Sequence, residues 1–225
     1  MDIPTKVFDS MQCKACIIGK SPKPASLSKP EGPTGTRVTQ PLETISCNLF
    51  GPMAKEWLGK TYVLTIIDNY SRYCIAIPIR AKSDAKLKLQ ELISTLVRKC
   101  GPTHKVESIQ ADFGGEFHSD ELSHWCKPYG IKRKPTVLPY HHETNAIIER
   151  LNRTLQDMAR TAMIAAKMKG MWGDAIQWAT YTKNRIPHQA LGGLSPFEAL
   201  YNKTVNRDNL RPFGQYVMTH IYKAK

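Results

Sequence analysis

The chain has 225 residues, 41% of them hydrophobic, and carries 32 Lys and Arg against 19 Asp and Glu, a net charge of +13. That length holds one domain of ordinary size with extensions, and no apolar run approaches the ~18 residues of a membrane helix. Six irregularly spaced cysteines and no apolar signal point to reduced thiols, and the basic excess suits a partner rich in phosphate.

Residues 1–20 contain Cys13-x2-Cys16, the spacing of two zinc ligands, but all seven histidines (His104, His118, His124, His141, His142, His188 and His220) lie downstream. Tetrahedral zinc takes four ligands, so no bound zinc is expected. Residues 21–41 are rich in Pro, Gly and Ser, the composition of a linker. Strands are predicted over 44–50, closed by Gly51-Pro52, over the β-branched run 61–68, and over 73–79. The first two form a hairpin in which Asn48 is expected near Leu64, leaving Asp68 four residues along and roughly 13 Å away. Ser83 is expected to cap a helix with an apolar stripe of Leu87, Leu89, Leu92, Ile93, Leu96 and Val97, ended by Gly101-Pro102. A strand over 106–111, a helix over 119–129 and a strand over 132–137 follow. A long helix is predicted over 144–167. A second, over 172–185, uses Trp172, Ile176, Ala179 and Tyr181 as apolar contacts. Ser195-Pro196 starts a short helix through Tyr201. This order predicts a mixed sheet covered by helices, one of several α/β arrangements.

Two carboxylates stand out. Asp112 follows a short apolar strand and precedes Gly114-Gly115, a setting that suits a reactive group at a strand end and equally an Asp that caps a turn. Glu149 comes after 36 intervening residues on the long helix, where Asn145, Glu149, Asn152 and Arg153 line one edge. Lys132-Arg133-Lys134 and Arg150, Arg153 and Arg160 are candidates for salt-sensitive phosphate contacts. Cys47, Cys74, Cys100 and Cys126 read as small core residues, and the adjacent His141-His142 as loop residues near DNA.

Taken together, several motifs occur in one order. They are Cys13-x2-Cys16, Leu49-x-Gly51-Pro52, Ile67-Asp68-Asn69-Tyr70-Ser71-Arg72, Asp112-x-Gly114-Gly115-Glu116-Phe117, Pro139-Tyr140, Glu149-Arg150-Leu151-Asn152-Arg153-Thr154-Leu155, Asn184-Arg185-x-Pro187 and Arg211-Pro212-Phe213-Gly214. The pattern resembles the integrase core of copia-type long-terminal-repeat retrotransposons, especially those of budding yeasts, over about residues 12–220.

The resemblance implies a ribonuclease-H-like fold with a mixed five-stranded sheet and flanking helices over 42–205. It would be preceded by a truncated His-His-Cys-Cys finger (1–20) and linker (21–41), and followed by the start of a C-terminal extension (206–225). It also implies three carboxylates holding two Mg²⁺ or Mn²⁺ ions. Asp112 and Glu149 match the second and third, while Asn48 stands in the place of the first. Further expectations are 3′-end trimming and strand transfer between element DNA ends and target DNA, a homo-oligomer, and residence in virus-like particles and then the nucleus. No membrane and no small-molecule substrate are implied. Phe113, Glu143-Thr144 and Ala146 also depart from the family pattern. Activity is therefore expected to be impaired, the alternative being a non-catalytic DNA-binding or multimerising remnant.

Overall fold

The computed structural model describes residues 38–102, 104–111, 117, 120–135 and 146–216, together with Cys13, Ala15 and Cys16. Five strands form one sheet: β1 (Thr44–Phe50), β2 (Tyr62–Asp68), β3 (Cys74–Ile79), β4 (Ser108–Ala111) and β5 (Lys132–Pro135). The spatial order is β3-β2-β1-β4-β5. The first three run antiparallel, and β4 and β5 add parallel on the far side of β1. Because side chains alternate along a strand, Leu64 and Ile66 of β2 enter one core layer, and Val63 and Ile67 the other. A strand buried on both faces reads as a near-continuous apolar run, and β2 does so from Val63 to Ile67 except at Thr65, whose hydroxyl donates to the Asn48 carbonyl (3.2 Å).

Helix α1 (Asp84–Cys100) covers the first face with Leu89, Ile93 and Leu96. Leu87, expected in that stripe, is off-register and 57% exposed. Ser83 is not the expected cap. Its backbone is already helical and its hydroxyl makes no capping bond, and the Asp84 carboxylate accepts the Ala81 N–H instead (3.1 Å). The helix expected over 119–129 is α2 (Asp120–Cys126), tightening into a 3-10 turn at Lys127–Tyr129. Pro128 has no amide hydrogen for an α-helical bond, and Gly130, at φ +66°, ends the turn.

Helices α3 (Ala146–Ala166) and α4 (Trp172–Lys183) cover the second face. Two indoles fasten the β1–β2 connection to the start of α4. Trp172 Nε1 donates to the Ala54 carbonyl (2.7 Å) and Trp57 Nε1 to Asp174 Oδ2 (2.8 Å). Helix α4 approaches closely at Gly173, where a Cβ would lie 3.1 Å from both Glu56 Oε2 and Pro78 Cγ. Tyr181, expected to pack inward, is 43% exposed and carries the Arg185 guanidinium 3.5 Å from its ring centre. Helix α5 (Pro196–Tyr201) starts as predicted, and Glu198 adds a full capping box with Ser195. Beyond it, Trp178 Nε1 donates to the Arg211 carbonyl (2.8 Å) and packs on Phe213, holding residues 211–213 against α4.

Candidate active site

The site forms where α3 crosses the middle of the sheet. Asn48 pairs with Thr65, one residue from the expected Leu64. Asp68 is thus three residues along rather than four, about 10 Å away. It is also fully engaged elsewhere. Its Oδ1 accepts the Leu42 N–H (3.0 Å), and its Oδ2 accepts both the Ser71 N–H (2.9 Å) and the Ser71 hydroxyl (2.5 Å). Burial raises its pKa, and the bonds from Ser71 and Leu42 work against that rise. Asp68 fastens the β2–β3 turn and is not turned toward Asn48.

The half-exposed Asn48 amide faces α3, and its Oδ1 accepts a hydrogen bond from Asn152 Nδ2 (2.9 Å). Sequence reasoning placed Asn152 among the DNA contacts. Instead it is 7% exposed and turned onto Asn48. A carboxylate at 48 would demand this same orientation of Asn152, since it can only accept. The Asn152 Oδ1 is buried with no hydrogen-bond partner among the described residues. Glu149, one turn earlier on the same helical face, is exposed. Ala111, which precedes Asp112 in the chain, pairs with Cys47, which precedes Asn48. Asp112 itself lies outside the described residues, as do His141 and His142.

The basic residues separate into two kinds. Lys132 and Lys134 on β5 and Arg150 and Arg153 on α3 are exposed, as a phosphate contact requires. Arg133 is not available: its guanidinium donates to the Ser123 hydroxyl and to the Phe117 carbonyl (2.6 Å). Alternation along β5 sends Arg133 inward while its neighbours point out. Arg160 is exposed and paired with Asp157 (3.2 Å).

Burial pushes the Cys47 and Cys74 thiols far above their ordinary range, Cys74 to about 12, in keeping with core roles. Cys13 is exposed and Cys16 half-buried. Among the described residues no group of three or more His, Cys, Asp or Glu is placed to hold a metal. The donors at the site are oxygens, which suit a hard divalent cation. Among the described residues these are the Asn48 amide and the Glu149 carboxylate.

The integrase core domain family matches residues 38–138. The Retrovirus-related Pol polyprotein from transposon TNT 1-94 of Nicotiana tabacum is 30% identical over 215 residues, 95% of this chain and 16% of its own length. The chain carries the integrase core of a long-terminal-repeat retrotransposon. The transposon Ty1-NL2 Gag-Pol polyprotein of Saccharomyces cerevisiae is 24% identical over 227 residues, 93% of this integrase core and 12% of its own length. The chain therefore spans a small part of the relatives it matches. The solved HTLV-2 integrase catalytic core domain, in complex with magnesium in a trimeric form, aligns with TM-score 0.56 at 17% identity. The alignment covers 73% of this chain and 99% of that one. A simian T-cell lymphotropic virus intasome bound to a PP2A regulatory subunit aligns with TM-score 0.60 at 18% identity, over 84% of this chain and 63% of that one. The fold is that of retroviral integrase cores, ribonuclease-H-like as the resemblance implied.

Sequence reasoning missed three connections. The Asn48–Asn152 bond joins residues 104 apart, and Asn184, quoted only as part of a motif, clamps Cys74 across 110 residues. Neither has a local signature. The Ser195-x-x-Glu198 box does, and it was readable from the spacing of those two residues.

Proposed function

We propose that this integrase core is the catalytic part of an enzyme that trims element DNA ends and joins them to target DNA, slowed by Asn48. The observation that carries the proposal is the Asn152–Asn48 hydrogen bond, which seats position 48 against the helix face bearing Glu149. Asp112 and Glu149, helped by the Asn48 carbonyl, would hold Mg²⁺ or Mn²⁺; a bound ion there supplies Lewis acidity to a phosphodiester and an activated hydroxyl. Asn48 contributes an oxygen and no charge, so the site balances less positive charge than a three-carboxylate site would. Lys132, Lys134, Arg150 and Arg153 hold phosphates in register, as exposed cations beside the site are able to do.

The working form is a homo-oligomer on element and target DNA, in virus-like particles and then the nucleus. The solved relatives, described as a trimeric form and an intasome, support the oligomer. A disintegration assay on branched DNA with Mn²⁺, comparing the parent chain with Asn48→Asp and Asp112→Asn, tests the reading. Rejoining by Asn48→Asp well above the parent is expected. A fully active parent with an inactive Asp112→Asn would refute the role given to Asn48. Binding without rejoining in every chain would favour a non-catalytic remnant.

A further inference from the structure

The connection between β1 and β2 contains a turn whose polarity is inverted. The Glu56 carboxyl is buried against Gly173 and Pro78, while the two apolar residues that follow it face solvent. Trp57 is 64% exposed and Leu58 39%. The backbone closes the turn tightly. The Glu56 N–H donates to the Lys60 carbonyl (3.2 Å), and the Gly59 N–H donates to the Glu56 carbonyl (2.8 Å).

Trp57 is held in place as well as exposed. Its bond to Asp174 and the bond from Trp172 to Ala54 fix the connection on the start of α4. The indole N–H is thereby satisfied while most of the ring stays in water, so ordering this side chain costs little on binding. A fixed, exposed indole is the kind of side chain that anchors protein–protein contacts. Its surroundings are basic. Lys55 and Lys60 flank the turn, and Lys55 Cε lies 3.4 Å from the place a Gly59 Cβ would take, so that side chain runs along the turn. Among the described residues neither lysine forms an ion pair. Asp174 is bonded to the indole and Glu56 is buried. Helix α4 begins past the end of α3, ~25 Å along that helix from Glu149, so this turn stands apart from the active site.

We infer that the Trp57–Leu58 turn, with Lys55 and Lys60, is a docking site for an acidic peptide segment of a partner protein that carries apolar anchors. Charge decides among the occupants. A second copy centred on this turn would set the same lysines against each other, a repulsion that an isologous contact cannot avoid. Duplex DNA takes phosphate contacts from cations and would leave the indole and Leu58 uncovered. Two apolar side chains are a shallow anchor for a bilayer, where binding strength scales with buried apolar area. An acidic peptide with apolar anchors covers the ring, the leucine and both ammonium groups together.

The experiment selects from a displayed library of random peptides on the immobilised full chain, then measures the enriched peptides by fluorescence anisotropy. It compares the parent with Trp57→Ala, with Lys55→Glu/Lys60→Glu, and with Arg98→Glu/Lys99→Glu. The last is an equal charge change on the exposed end of α1 at the opposite sheet face. Enriched peptides should combine Asp or Glu with Leu, Phe or Trp. Trp57→Ala should weaken them by at least about 30-fold, the loss expected at an anchor. Lys55→Glu/Lys60→Glu, which keeps the indole and its bond to Asp174, should weaken them about 10-fold. The control pair should bind as the parent does. A selection without acidic peptides, equal affinity in parent and Trp57→Ala, or equal losses in the two charge pairs would overturn the inference. So would a sedimentation coefficient that falls in Trp57→Ala, or duplex DNA or anionic vesicles losing as much affinity for that variant as the peptides do.

Discussion

Asn48→Asp should make the stability of this chain depend on divalent metal. The parent amide is half-exposed, so the dielectric of water is the fair scale for the added charge. A carboxylate ~2.5 Å from a divalent ion gains about 3 kcal/mol even there, roughly two decades of affinity. At ~10 mM Mg²⁺, a site with a Kd of ~10 mM gains about 0.4 kcal/mol, and a site a hundredfold tighter gains about 2.7 kcal/mol. For a chain of this size the difference corresponds to roughly 5–9 °C in Tm. Without metal the sign reverses, because a new negative charge beside the helix face that bears Glu149 is repelled, so the variant should melt below the parent in EDTA. Differential scanning fluorimetry with Mg²⁺ and with EDTA measures both arms, with Asn48→Asp/Glu149→Gln as the metal-binding control. Equal Mg²⁺ shifts in parent and variant would refute the argument that position 48 shares a site with Glu149.

Asn152→Ala should cost about 1 kcal/mol in the parent, where it removes a neutral hydrogen bond to Asn48, and about 1.5–3 kcal/mol in the Asn48→Asp background. Urea unfolding of the four chains of that cycle reads the difference, and equal losses would deny the pairing. Gly173→Ala should destabilise by about 1–3 kcal/mol, since the new Cβ meets the buried Glu56 carboxylate and Pro78; an unchanged urea midpoint would contradict that packing. The Glu198 carboxyl is held at about 2 by the Ser195 hydroxyl, then by the Ser195 and Val205 N–H groups, with Arg207 adding. Because the folded pKa lies below the unfolded value, this stabilisation is complete above about pH 4.5 and fades as pH falls toward 2. Glu198→Gln should therefore melt lower than the parent at pH 7, and the gap should close across that acid window. Parallel melting curves from pH 7 to pH 2 would show that the capping box contributes nothing.

The parts of this fold that could be read in sequence are those whose cause is local. The β-branched run of β2 marks a strand buried on both faces, and the apolar period of α3 follows from one helix face meeting the sheet. Ser83 shows the limit of such reasoning: the backbone is already helical there, the Ala85 N–H donates to the Lys82 carbonyl, and the Asp84 carboxylate reaches back to the Ala81 N–H, so the turn begins before the expected cap. Arg133 shows another, for its two neighbours look identical in sequence and only the pleat separates an inward guanidinium from outward ammonium groups. The candidate site divides in the same way. Glu149 and the amide at 48 are visible as residues in a pattern, but the function of Asn152 depends on a partner 104 residues away. That partner changes the meaning of Asn48. In the proposed reading Asn48 stands where a charge is wanted, and Asn152 presents there an N–H that a carboxylate would accept. Because that donor is buried and held on the helix that bears Glu149, Asn48→Asp is the single substitution by which the proposed reading stands or falls.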